Sequence, residues 1–525
     1  MSKKAWIAAL AATVALGWAQ TGVTQTLKWA NNGDVSSMDP YFLNETFLLG
    51  FLSNIYEPLV GRGKKLELEP RLAESWSQTS PTVWRFKLRS NVKFHDGSPF
   101  NADDVVFSYA RVLMDGSDIK GKLTSVKEIR KVDDMTIDIE TKAPNPLLPG
   151  DISTWYIMSK PWAEKNGAVQ PSNVKTNTES YANLHANGTG PFMLKSREPD
   201  VKTVATKNPN WWGKPEHNLE EVQFQVIKSD ATGVAALLSG DIDMLYTVPL
   251  QDVDRIAKTK GRKVLQGAEM RTIFLGMDQW RDELADSSVK GKNPFKDVRV
   301  RKAFYQAIDE KAIASKVMRG AATASGLMIA PTVNGWDKSQ NSRLPYDTAA
   351  AKKLLADAGY PNGFTVGMNC PNDRYVNDEQ ICQAVAAMLA RIGVKVNLLA
   401  ETKSKYFAKI LARNTSFYLL GWTPDTYDAW NPLSSLMATP NDAGQGKFNL
   451  GKYSNKRLDE LTLMIQSEVD PAKRQSQISE AFKIHTDEVG HIPLHQQALA
   501  WGVKDNVSLV QLPDNVFVWS WVKVK

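Results

Sequence analysis

Two short loops in the C-terminal half carry residue types that could hold a small charged molecule. One reads Pro371-Asn372-Asp373-Arg374-Tyr375, the other Gly421-Trp422-Thr423-Pro424-Asp425. A guanidinium holds a carboxylate through two parallel hydrogen bonds, and a carboxylate accepts from an ammonium. Arg374 and Asp425 together suit a zwitterion such as an amino acid or a short peptide. The same charges also suit a plain surface, each solvated on its loop or bonded to the other. Trp422 and Trp430 flank the second loop, and an indole there either stacks on a ligand or fills a core. Motifs of bond-breaking chemistry are missing: there is no G-x-S-x-G elbow, P-loop, H-E-x-x-H or dinucleotide fingerprint. Pro493 lies between His491 and His495 and argues against two metal ligands on one helix face. Neither a metal nor a cofactor is expected.

For the two loops to meet, they must leave one sheet at the same edge. The pattern predicts a strand over 364–370, a helix over 377–392 ending at Gly393, and a strand over 394–398. A helix over 403–413 and a strand over 417–420 follow. Strands alternating with helices of this length imply βαβ units and a parallel sheet. Ligands of such sheets sit outside the carboxyl ends of the strands, where both loops begin. Upstream, Val300, Ala303, Phe304, Ala307 and Ile308 mark one helix, and 348–358 another, stopped by Gly359. Before about residue 297 the texture is different. Residues 84–89 alternate apolar and basic, which predicts a half-buried strand, with a turn at Ser90-Asn91 and a return strand over 92–94. Asn101 can cap a helix with Asp104 at the third position, and 135–140 alternates again. This part reads as α+β with antiparallel strands.

The chain has 525 residues, enough for about three or four domains. With 42% hydrophobic and 23% charged residues it is too apolar for disorder. A net charge of +7 without any long Lys/Arg run gives no reason to expect a nucleic-acid partner. Lys3 and Lys4 precede an uncharged, largely apolar stretch to Ala19, the layout of a secretory leader cleaved after Ala19. That stretch is too short to span a bilayer, and no cysteine near it offers a lipid anchor. Export would place Cys370 and Cys382, the only two cysteines, where an isolated pair becomes a disulfide. The bond would close the loop that carries Arg374. It either preorganises that loop or simply staples the fold; two free buried thiols are the remaining alternative. Among the tryptophans, Trp76, Trp84, Trp211, Trp212, Trp519 and Trp521 read as core, since they lie in strand patterns or scaffold motifs.

A series of stretches carries a resemblance. They are Ile55-Tyr56-Glu57-Pro58-Leu59, Leu72-Ala73-Glu74-Ser75-Trp76, Val92-Lys93-Phe94-His95-Asp96-Gly97 and Phe100-Asn101-Ala102-Asp103-Asp104-Val105. Gly188-Thr189-Gly190-Pro191-Phe192, Asn208-Pro209-Asn210-Trp211-Trp212 and Asp297-Val298-Arg299-Val300-Arg301-Lys302-Ala303 follow in order. Together they resemble the dipeptide- and oligopeptide-binding proteins of bacterial ABC importers, over nearly the whole chain from residue 26. The resemblance implies an α/β, two-lobed periplasmic-binding-protein fold of the class II type with an extra α+β domain. A leader over 1–19 would precede a discontinuous first lobe (20–55, 185–272 and 498–525), the extra domain (56–184) and the second lobe (273–497). It implies a monomeric, periplasmic receptor, not lipid-anchored and not an enzyme, that passes a peptide or peptide-like ligand to a permease complex in the inner membrane. Asp425 would hold the ligand's amino terminus and Arg374 its carboxylate. Gly421, Trp422, Thr423, Trp430, His495, Asn44 and Glu45 complete the candidate ligand-binding set. Two departures bear on the ligand: His495 stands where relatives often have tyrosine, and Trp430-Asn431 replaces a shorter Asp- and Gly-rich run. An opine, a metal chelate or an oligosaccharide is the alternative ligand; a secreted peptidase is the alternative class.

Overall fold

The computed structural model describes residues 25–176, 178–442 and 444–525. The expected leader, 1–19, lies outside the described residues. The fold hangs on two long antiparallel strands, Arg262–Met277 and Ile492–Lys504. Their register runs from Arg262 opposite Lys504 to Leu275 opposite Ile492. It slips between Ala268 and Thr272 and again between Ile273 and Phe274. Such bulges bend a ribbon and raise its twist. On one half of the ribbon, Gly502 and Val503 pair with Met244–Leu245, which leads on to the parallel pair Thr26–Asn31 and Glu221–Val226. On the other half, Thr272–Met277 pairs with Phe417–Trp422. Two lobes therefore hang from opposite halves of one ribbon, and the 11-stranded sheet is continuous between them.

The α/β reading of the second half is matched. Thr365–Pro371 pairs in parallel with Lys395–Glu401 and with Phe417–Trp422. The helices Asp378–Ala390 and Lys403–Leu411 make the crossovers. Apolar side chains line the inner faces of both, among them Ile381, Val385, Leu389, Tyr406 and Ile410. Cys370, near the end of its strand, is bonded to Cys382 in the following helix, with Cα atoms 6.6 Å apart. The loop bearing Arg374 is thus closed by a disulfide.

A separate four-stranded antiparallel sheet lies within residues 73–141. Its helix Ala102–Leu113 starts as expected: Asn101 accepts from Asp103 N (2.8 Å) and Asp104 accepts from Asn101 N (3.0 Å). The expected hairpin is not formed. Val83–Leu88 pairs with Ala73–Ser80 and Thr136–Thr141, not with 92–94. Asn91 turns the chain in the left-handed region (φ 60°) and sends it away. Phe94 then buries its ring against Phe100, and the next residue, His95, bonds to the 188–190 loop.

Candidate functional site

A cleft of about 1090 Å³, partly open to solvent, lies between the lobes. Leu49 of the helix Thr46–Leu52, Tyr156, Trp211, Tyr427, Leu512 and Trp521 give it apolar walls. The helix is held from behind by an aromatic cluster in which Trp29 packs on Phe47, Phe51 and Phe517. Trp211 and Trp521, read from sequence as core, are on the cavity wall. A polar cavity of about 390 Å³ shares Asn44 and Asp425 with the large one. A third, of about 540 Å³, is lined by Arg374, Lys403 and Tyr246.

Asp425 sits where its strand predicts, three residues beyond the end of Phe417–Trp422. A relay of side chains fixes it. Trp422 Nε1 donates to Asn431 Oδ1 (2.8 Å), and Asn431 Nδ2 donates to Asp425 Oδ1 (2.8 Å). The Trp422 ring packs on Phe448, 4.9 Å between centroids. The other carboxylate oxygen faces the opposite wall, where Thr154 Oγ1 donates to it (2.8 Å) and the Lys122 ammonium pairs with it. Burial pushes Lys122 down to about 7, against the pull of Asp151 and Asp118. Burial also raises Asp151, to about 8. Gly421 lets the strand approach its neighbours: a Cβ there would come within 2.8 Å of Ile273 and of Tyr375. Thr423 is on the wall of the large cavity, with a buried hydroxyl that has no partner among the described residues.

Arg374 also lines a cavity, where it is ion-paired. Its Nε lies 2.6 Å from Glu45 Oε1, and both side chains are buried. Lys403 Nζ is 3.8 Å from the same carboxylate. Glu45 is at once the cap of the helix Thr46–Leu52, accepting from Leu48 N at 2.8 Å. Burial alone would raise the Glu45 carboxyl; Arg374 and Lys403 outweigh it and hold it below its usual range. Arg374 and Asp425 are not bonded to each other, since each has a partner from elsewhere in the chain.

The remaining candidates divide. Asn44 donates its backbone N–H to Asp118 (2.9 Å) and lies on the wall shared by the two cavities beside Asp425. Trp430 borders the polar cavity, but its Nε1 is taken by Thr462 O (3.1 Å). His495 stands apart. Its Nδ1 lies 2.7 Å from Glu310, both side chains are buried, and it borders none of these three cavities. Its position inside a ribbon strand, opposite Ile273, turns it into the second lobe. His491 bonds to His485 at 2.9 Å. Among the described residues, no His, Cys, Asp and Glu cluster could hold a metal ion. Sequence reasoning missed Lys122, Thr154, Arg62, Tyr427 and Asp514, which reach the cleft from around the extra sheet, from the loop after Asp425 and from the C-terminal segment. No local pattern marks them.

Known proteins share this architecture. The model of the family "Bacterial extracellular solute-binding proteins, family 5 Middle" matches residues 67–444. The chain belongs to that family. Glutathione-binding protein GsiB of Shigella dysenteriae serotype 1 is 24% identical over 488 residues, 91% of this chain and 90% of that protein. Heme-binding protein A of Haemophilus influenzae is 29% identical over 435 residues, 78% of this chain and 75% of that protein. The structure of DppA from Helicobacter pylori, in complex with peptide STSA, superposes with a TM-score of 0.83 at 24% identity. It covers 95% of this chain and 98% of that one. Among the described residues no helix is long and apolar enough to cross a membrane.

Proposed function

We propose that this chain is the periplasmic receptor of an ABC importer, capturing a peptide or peptide-like ligand between its lobes for a permease complex in the inner membrane. The observation that carries the reading is the apolar-walled cleft between the lobes, partly open to solvent, with Asp425 on its wall. The ligand's ammonium replaces Lys122 at Asp425, and its body fills the apolar space. The lobes and extra domain follow the division 20–55, 185–272 and 498–525; 56–184; 273–497. Opening and closing bend the two-strand ribbon at its register slips. A ligand that bridges both lobes only in the closed form shifts the population toward it, which is the state the permease would read. No bond is made or broken. The Helicobacter protein, with its bound peptide, and the Shigella protein, named for glutathione, support a peptide-like ligand. The aromatic walls favour a second reading, a metal chelate, in keeping with the Haemophilus relative named for heme. Native mass spectrometry of gently purified protein tests both. The expected result is a retained peptide, released intact and unchanged after prolonged incubation. Cleavage of the peptide, or a retained chelate, would contradict the peptide-receptor reading.

A further inference from the structure

Arg62 differs from the other cations on these three cavities. Arg374 and Lys403 face Glu45, Arg71 pairs with Glu69 at 3.2 Å, Lys122 pairs with Asp425, and Lys447 lies 3.3 Å from Asp118. Among the described residues, no carboxylate is within ion-pairing distance of Arg62. Its Nη1 donates to Leu66 O (2.8 Å) and its Nη2 to Thr426 O (3.2 Å), one residue beyond Asp425. The guanidinium is stacked over Tyr427, 4.3 Å from the ring centroid, and Nε is buried without a partner among the described residues. The side chain is therefore fixed in orientation with donors left over, on the wall of the large cavity. Asp514 and Asp151 act on it from farther off, and burial raises both toward their neutral forms. A fixed cation with spare donors in an apolar cavity is a binding site for an oxyanion.

Resting on the amine anchor at Asp425, we propose that Arg62 binds a carboxylate carried beside the ligand's ammonium. The cleft then recognises an α-amino-acid head group, ammonium to Asp425 and carboxylate to Arg62, with the rest of the ligand in the apolar cavity. An ordinary peptide has no carboxylate at its amino-terminal carbon. A chain attached through a side-chain carboxyl, as in a γ-glutamyl compound, keeps both charges there.

Two isomers make the test: γ-glutamyl-phenylalanine and α-glutamyl-phenylalanine have the same atoms and charges and differ in which carboxylate flanks the ammonium. Calorimetry with the whole mature protein should show the γ isomer at least tenfold tighter. Arg62→Gln should remove that preference and leave the α isomer within about twofold. Arg62→Lys, which keeps the charge without the fork, should retain part of the preference and serves if Arg62→Gln does not fold. Equal affinities, a preference for the α isomer, equal weakening of both by Arg62→Gln, or binding of neither at millimolar concentration would overturn the proposal. Asp425→Asn separates the two levels. If it weakens both isomers equally where no preference exists, the amine anchor stands and the Arg62 site falls; if it changes neither, the anchor falls as well.

Discussion

The two ends of the cleft hold their charges differently. At one end Arg374 is locked between lobes by Glu45, a carboxylate that also caps a helix and faces Lys403. All three side chains are at most 8% exposed. At the other end Asp425 is a quarter exposed and is held by the tip of one long side chain, Lys122, by the Thr154 hydroxyl and by the Asn431 amide. Lys122 is itself buried, but burial lowers it to about 7, so it can shed its proton on being displaced, whereas a capping carboxylate cannot leave without loosening its helix. The contrast teaches that a charge on a cleft wall is available to a ligand only if its resident partner can be displaced. On this basis we propose Asp425 as the ligand anchor and Arg374 as a clamp between the lobes.

The largest effect should come from breaking the clamp. Glu45→Ala leaves Arg374 and Lys403 buried without a counter-charge and should cost about 3–5 kcal/mol of stability in denaturant unfolding. Asp425→Asn should cost less, because Lys122, lowered to about 7, can shed its proton, and Thr154 and Asn431 can still bond the amide. Equal losses at the two ends would erase the distinction.

The disulfide sharpens it. Cys370 and Cys382 are 12 positions apart and enclose the Arg374 loop. Replacing both with serine should remove roughly 3 kcal/mol of stability in the chain-entropy picture. Because Glu45 already fixes Arg374, ligand affinity should stay unchanged while the melting temperature drops. A loss of affinity in the folded variant would show that this end does take part in binding.

A smaller effect depends on pH. His95 accepts from Gly188 N at Nδ1 (3.3 Å) and donates from Nε2 to Gly190 O (3.1 Å), a bonding pattern that needs the neutral ring. Burial lowers it to about 4. Its folded value is below the unfolded one of about 6.5, so the unfolded chain takes up the proton first as the pH falls. The stability from the neutral ring is complete above about pH 6.5 and is lost as the pH falls from there toward 4. Between pH 8 and pH 5 the loss amounts to about 2 kcal/mol. His95→Gln should flatten that part of the stability profile; an unchanged profile would show that His95 is not the group responsible.

Much of the second lobe was legible because its signals are local. Gly359 and Gly393 mark helix ends, and period and punctuation place the strands whose parallel pairing brings 371–375 and 421–425 to one edge. The partners of those loops were not legible. Lys122 lies 303 positions from Asp425, and only the packing of the extra sheet's region against the second lobe brings them together. The ribbon strand Arg262–Met277 carries no single period: its first half is part-exposed and its second half is buried on both faces. Trp521 reads as core because an indole in a scaffold pattern usually is, yet the chain terminus folds over the cleft and leaves it on the wall.

The amine anchor is tested most directly by calorimetry with a single free-amine dipeptide and its N-acetyl form. For the wild-type protein, acetylation should lower affinity by at least a hundredfold, about 2.7 kcal/mol, because the ammonium that replaces Lys122 is gone. In Asp425→Asn the two forms should bind within a fewfold of each other. Equal binding of the two forms by the wild-type protein would contradict the assignment of Asp425 as the ligand anchor.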